Sequence, residues 1–282
     1  MKLPIKPLLC ILLLPLAIAT AGNGPLDPVA YPSQPDTHVA PPRYATPSGP
    51  NATARLAYWS EQAWRTMAID HTPPPAGPTA DAEQGGPTRT GRAMAIFHIA
   101  IHDALNAIYR RYPGYSGPLP AFSDSSPDAA IAQAAHDTLA ALYPRQADRL
   151  HALLNADLAR LPAGRSKLNG IDVGRRAAAA ILALRSGDGA ERPDPVVGVD
   201  YPLYREPGKW RPDPVSGIQI AYGAYWGQVK PFVLPSAIAF RPPPPPPLAS
   251  DAYTEAFNEV KQLGGNGPAT RRTPEQTRIG IY

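Results

Sequence analysis

Apolar residues recur at helical spacing over most of this chain, and capping residues and prolines bound each stripe. From residue 52 onward Leu56, Trp59, Ala63 and Met67 form one stripe, which must end before Pro73-Pro74-Pro75. A Pro/Gly connector runs to Thr90, and the longest helical pattern follows over 91–112, closed by Pro113-Gly114. A third helix opens at Ser126-Pro127-Asp128, turns Ile131, Ala135, Leu139 and Leu142 inward, and stops at Tyr143-Pro144. The fourth places Leu150, Leu154, Leu158 and Leu161 in register. The fifth, over 168–185, carries Ile171, Ala178 and Ile181 and ends at Ser186-Gly-Asp-Gly189. Short connections among helices three, four and five favour antiparallel neighbours, which is bundle topology.

The pattern then breaks. Over 187–249 prolines recur too often for a helix or a central strand, and the run 242–247 should adopt polyproline II geometry. Tyr201, Tyr204, Trp210, Tyr222, Tyr225 and Trp226 argue against plain disorder, because disordered segments are poor in aromatics. The segment reads as a long irregular strap lying on the helices. A sixth helix begins at the Ser250 cap, is expected to bury Tyr253, Ala256, Phe257, Val260 and Leu263, and closes at Gly264-Gly265. A seventh starts at Thr273, with Pro274 at its first position and Gln276 three residues after the cap. It carries Ile279, Ile281 and Tyr282, and so short a helix is unstable in isolation. The sequence is therefore expected to be a fragment cut inside its last helix. No internal repeat and no strand alternation stand out, so the fold class is all-α: a helical bundle with a Pro/aromatic-rich strap.

Composition adds an address. Residues 1–21 read as a secretory signal, with Lys2 and Lys6 at the basic start, an apolar stretch interrupted by Pro15, and Ala19-Thr20-Ala21 as cleavage site. That stretch is too short to span a bilayer, so no membrane association is expected after its removal, and the mature protein is expected to be secreted or periplasmic. Its loss leaves 25 basic against 23 acidic residues, a formal charge of about +2, which gives nucleic acid no electrostatic footing. The only cysteine, Cys10, lies in the signal, which excludes thiol catalysis and thiolate metal sites in the mature chain. Residues 22–51, rich in Pro, Ser, Asn and Gly, read as a flexible lead-in. Asn51-Ala-Thr53 matches a glycosylation sequon, a pattern short enough to arise by chance.

Few residues suggest chemistry. His98 and His102 stand four apart on one helix face, as zinc ligands can, but position 99 is Ile where a metalloprotease helix needs Glu. The blander expectation is that both sit between helices, with Asp103 and Asn106 tying their helix to a neighbour. His136 and His151 each stand alone on Ala/Leu-rich helices and read as packed or solvated. The 186–189 turn lacks the oxygen pattern of a calcium loop and reads as a helix stop. Arg192, Arg211 and Arg241 precede prolines and could hold an anion, although stacking on an aromatic ring or capping a carbonyl is the commoner use.

Several blocks are familiar in succession. They are 59–68; Arg92-Ala-Met-Ala-Ile-Phe-His-Ile-Ala-Ile-His-Asp-Ala-Leu-Asn-Ala-Ile-Tyr109; Ala132-Gln-Ala-Ala-His136 with Leu142-Tyr-Pro144; and 170–185 with Gly187-Asp-Gly189. Then come Pro207-Gly-Lys-Trp-Arg-Pro212, 226–232, Pro247-Leu-Ala-Ser250 with Tyr253 and Phe257, and Arg272-Thr-Pro-Glu-Gln-Thr277. Their order resembles the N-terminal half of bacterial secreted proteins related to vanadium-dependent haloperoxidases, which belong with type 2 phosphatidic acid phosphatases. The resemblance spans 52–282 and implies the N-terminal half of a double helical bundle, with the C-terminal half of the same fold as its partner. It also implies an enzyme, in complete form, that oxidises halide with hydrogen peroxide on bound vanadate or hydrolyses phosphate esters. In that family a lysine and two arginines neutralise the oxyanion, serine and glycine donate hydrogen bonds, and two histidines act on it. Such convergence is what a multiply charged anion requires.

The family's motifs are absent here. No histidine follows a glycine, so Ser-Gly-His is missing. The positions where its lysine would precede Arg192, Arg211 and Arg241 hold Arg185, Tyr204 and Leu234, and Lys209 is too close to Arg211. No catalytic, cofactor-binding or metal residue is therefore assigned, and vanadate is expected only in the complete family member. The alternative function is a secreted, non-catalytic binding module that uses its Pro/aromatic strap.

Overall fold

A cap with an apolar stripe behind it dictates each helix start. A computed structural model describes residues 44–72, 82–265, 267 and 269–281. The proposed signal 1–21, most of the lead-in, Pro73-Pro74-Pro75 and Tyr282 lie outside the described residues. Helix α1 (Ala52–Asp70) opens on Asn51, whose side-chain oxygen accepts from Ala54 N at 3.0 Å, so the sequon asparagine is a helix cap. Helix α2 (Gly86–Tyr109) begins earlier than its pattern suggested. Gly86 and Pro87 resemble a connector in sequence, but Pro87 sits in the first turn, where its missing N–H leaves nothing unpaired. Helix α3 (Pro127–Leu142) is capped by Ser126, whose hydroxyl accepts from Ala129 N at 3.2 Å. A single 3-10 turn at 144–146 leads into α4 (Ala147–Leu158), and α5 (Arg165–Arg185) follows.

Helix α3 is the axis of the bundle and touches α1, α2, α4 and α5. Periodicity gave it one inward stripe, yet it is buried on almost every side, including Asp128, Gln133, His136 and Thr138. Its alanines make this possible, because a helix surfaced with methyl groups accepts neighbours on all flanks. Trp59, Ile96, Phe97, Ile131, Leu139, Leu150, Val173 and Ile181 fill the space between the helices. Where α5 crosses α3 the approach is closest, at Gly170 and Gly174. A Cβ on Gly170 would lie 2.3 Å from Ser126 O, and one on Gly174 would lie 2.5 Å from Ala130 O.

The strap follows α5, and among the described residues it contains no sheet. Its only pairings of strand type are isolated bridges, Val196 with Ile220 and Val197 with Tyr201, and one 3-10 turn spans Trp226–Gln228. Helix α6 (Asp251–Leu263) is capped by Ser250 and stops where Gly264 N donates to Val260 O at 2.7 Å. Helix α7 (Pro274–Ile281) opens on a reciprocal capping box: Gln276 N donates to Thr273 Oγ1, and Thr273 N donates to Gln276 Oε1.

One expectation fails outright. Helix α6 buries no residue, and Phe257 and Val260 are 58% and 64% exposed. Its apolar stripe is real, but periodicity shows only that a helix has a face to cover. Among the described residues no helix is long and apolar enough to cross a membrane.

Candidate functional site

The chemistry-bearing residues occupy four places. The first is the ionic centre of the bundle. Arg55 is completely buried on α1; its Nε donates to both Asp157 oxygens at 3.0 Å and its Nη2 to Asp157 Oδ1 at 2.9 Å. A second branch, Nη1, pairs with Asp128. Trp59 Nε1 donates to Asp157 Oδ2 at 2.9 Å, and Asn51 N donates to Asp128 Oδ1 at 2.7 Å. The group fastens α1, α3 and α4 together. Sequence reading missed it, because Asp157 stands 102 residues from Arg55. The one available signal was Arg55 lying a single position from Leu56, on the edge of the apolar stripe.

The second place is a clamp holding the strap to the bundle. Asp188, in the turn after α5, accepts from Arg92 Nε at 2.8 Å and forms an ion pair with Arg185, whose Nη2 lies 2.5 Å away. Arg185, 2% exposed, also donates to the carbonyls of Lys230 and Pro231 and lies 4.0 Å from the centre of the Phe232 ring. Arg89 reaches Asp194 at 2.5 Å and the Arg192 carbonyl at 2.7 Å, and Asp194 accepts from Gly223 N at 2.8 Å. Tyr115 OH closes the row on the Phe232 carbonyl. The 186–189 turn is the expected helix stop, and the structure adds the carboxylate on which the clamp converges. Arg192 follows the commoner use: it stacks 3.2 Å from the Tyr225 ring centre and donates to Gln228 Oε1, while Arg211 and Arg241 are exposed.

Burial alone would push the Asp188 carboxyl up, but hydrogen bonds from Arg92 and Ala190 N, with the charges of Arg92 and Arg185, hold it below the usual carboxylate range. A carboxyl whose folded pKa is depressed gives its full stabilisation above the unfolded pKa, about 4, and loses it as pH falls through the folded value. Acid titration should therefore release the strap below about pH 4, read from the fluorescence of Trp210 and Trp226. Asp188→Asn should loosen it at neutral pH by roughly 2 kcal/mol, the worth of a hydrogen bond to a charged group. Hydrogen exchange over 189–232 would report this, and unchanged protection would deny Asp188 its anchoring role.

The third place is the α3–α4 seam. His136 is buried with Nδ1 2.7 Å from Asp137 Oδ1, and its ring meets the exposed His151 edge-on at 4.6 Å. His151 Nδ1 lies 2.6 Å from Ala147 O. The two histidines, separate in the sequence reading, thus form one contact: His136 is packed and His151 solvated.

The fourth is the outer face of α2. His98 and His102 are exposed there and do not sit between helices as expected, because positions 96, 97, 100 and 101 take the inward face. Asp103 does not tie α2 to a neighbouring helix but pins the loop that follows its own: it is 1% exposed and accepts from Tyr115 N at 2.7 Å and Ser116 N at 2.8 Å. His102 Nδ1 lies 3.1 Å from Asp103 Oδ1, and its Nε2 lies 2.7 Å from Asn106 Nδ2. One turn further on, a cleft of about 630 Å³ opens among Asp103, Asn106, Arg110, Tyr112, Pro113 and Leu119. Among the described residues no three His, Cys, Asp or Glu side chains are grouped so as to hold a metal ion.

Compared with known proteins, this chain matches no family model, no curated protein and no solved structure.

Proposed function

We propose that residues 52–282 are the scaffold half of an exported haloperoxidase-like protein. In the complete protein a C-terminal helical half would supply the oxyanion ligands, for halide oxidation on vanadate or for the related hydrolysis of phosphate esters. The observation that carries this reading is how the arginines are used. Arg55, Arg89, Arg92 and Arg185 all bind carboxylates or carbonyls that join helices to one another or to the strap, so their donors build a frame. The exposed Phe257 and Val260 on α6 add a helix face that a further half would cover. Vanadate is the cofactor this reading implies, and no residue described above is assigned to hold it.

The test is a binding measurement with a sequence control. The chain 22–282 should take up neither vanadate nor a phosphate analogue and should be prone to aggregate. A form extended past Tyr282 should bind vanadate, and its added residues should contain the lysine/Arg-Pro, Ser-Gly-His and arginine/histidine groups. Stoichiometric vanadate on 22–282 alone, or an extension devoid of those groups, would refute the reading. A second reading, a secreted binding module, draws on the exposed strap side chains Trp210, Tyr222 and Phe240, which are 47%, 62% and 76% exposed. A soluble, folded, monomeric 22–282 would favour that module.

A further inference from the structure

The cleft at the C-terminal end of α2 combines a conformationally costly residue with a shaped wall. Helix α2 terminates at Arg110, whose backbone is left-handed (φ 54, ψ 36) while its N–H donates to Asn106 O. Among the described residues it is the only non-glycine with positive φ. Glycine normally takes this capping position, because a Cβ is strained there. The cap therefore explains the backbone shape but not the choice of arginine.

The side chain lies at the cleft, not in the frame. Arg110 is exposed, and its nearest protein acceptor is the Ala121 carbonyl, 3.5 Å from Nη2 and at the limit of a hydrogen bond. This contrasts with Arg55, Arg92 and Arg185, each held by carboxylates at 3.0 Å or less. The cleft walls are largely apolar: Pro113, Pro118, Leu119 and Pro120, with Tyr112 at the rim. Asp103 lines it as well, but both of its oxygens already accept backbone N–H groups from the loop.

We propose that this cleft binds a small organic monocarboxylate. The Arg110 guanidinium clamps the carboxylate, and the proline and leucine wall takes the apolar body. Guanidinium meets carboxylate in a planar, two-bond geometry that a lysine cannot reproduce. The charge balance selects the class: one guanidinium lines the cleft, and the Asp103 carboxylate beside it opposes a dianion, which would need several cations. Phosphate esters are therefore the disfavoured anions at this place. The site is independent of the scaffold reading, and Arg110, on which it depends, takes no part in the strap clamp.

Amide chemical shifts of the purified protein, titrated with benzoate, acetate and phenyl phosphate, test the proposal. Benzoate should give saturable shifts at Asn106, Arg110, Gly114 and Gly117, acetate should bind more weakly for want of a ring, and phenyl phosphate more weakly than benzoate. Arg110→Gly should weaken benzoate binding at least tenfold while its melting temperature holds or rises, since glycine relaxes the left-handed position. Should that variant fold poorly, Arg110→Asn, which also tolerates this backbone, serves the same purpose. Arg110→Lys should fall between. Absence of saturable shifts at the cleft, undiminished binding by Arg110→Gly and Arg110→Asn, or a preference for phenyl phosphate would each overturn the proposal.

Discussion

Asp157→Ala should lower the unfolding free energy by about 3–5 kcal/mol, the range for breaking a fully desolvated ion pair. Arg55 and Asp157 both have side chains 0% exposed, so the guanidinium cannot recover its lost partner from water. The substitution also strands Trp59 Nε1, whose acceptor is the same carboxylate. Asp128 remains beside Arg55 and limits the damage, since one of the two neutralising charges survives. Urea unfolding followed by far-ultraviolet circular dichroism would measure the loss. Asp172→Ala is the matched control. Asp172 pairs with Arg176 at 2.7 Å on the surface of α5, with side chains 55% and 36% exposed, and its loss should cost about 0.5 kcal/mol or less. A cost below about 1 kcal/mol for Asp157→Ala would mean that water reaches Arg55 and that the ionic centre does not join α1 to α4. None of this makes the charges a net source of stability. A well-packed apolar set in place of Arg55, Asp128 and Asp157 could be as stable, because desolvating three charges offsets most of their attraction.

Gly174→Val should cost about 3 kcal/mol, at the upper end of what overpacking imposes. A Cβ at this position meets Ala130 O at 2.5 Å, Gln133 Cβ at 2.8 Å and Ala134 N at 3.0 Å. Two of these three atoms are backbone of α3, so no side chain can swing aside, and the helices must separate. Separation propagates, because α3 also touches α1, α2 and α4. Gly91→Ala supplies the opposite sign. It lies on α2 with nothing within 4 Å of the methyl group that alanine would add, so the substitution should raise stability by roughly 0.5–1 kcal/mol through helix propensity alone. Thermal unfolding of both variants is the measurement. A neutral Gly174→Val would show that α3 and α5 do not approach as closely as their glycines allow.

The candidate site residues were only partly legible. His98, His102, Asp103 and Asn106 drew attention through their spacing, and the structure joins the last three while turning both histidines outward. The same spacing, continued one further step, reaches Arg110 and the cleft, but neither its left-handed backbone nor the proline wall follows from a helical period. The strap clamp was invisible for another reason. Arg92 and Asp188 are 96 residues apart, and an arginine in an amphipathic pattern reads as a solvated residue until a carboxylate is seen beside it.

By itself the sequence determined the all-α class and those helix starts that a capping side chain marks. These are local properties: Ser126, Ser250 and Thr273 cap their own helices whatever surrounds them. It also determined that 187–249 would be irregular, because proline forbids the alternatives within its own residue. Only the tertiary structure decided which faces are covered. It buried α3 on nearly every side, left Phe257 and Val260 of α6 exposed, and took Arg55 and Arg185 out of water. The reason is that burial belongs to a pair of surfaces. An apolar stripe or a charge states what it needs, and whether the need is met depends on residues that the fold brings from far along the chain.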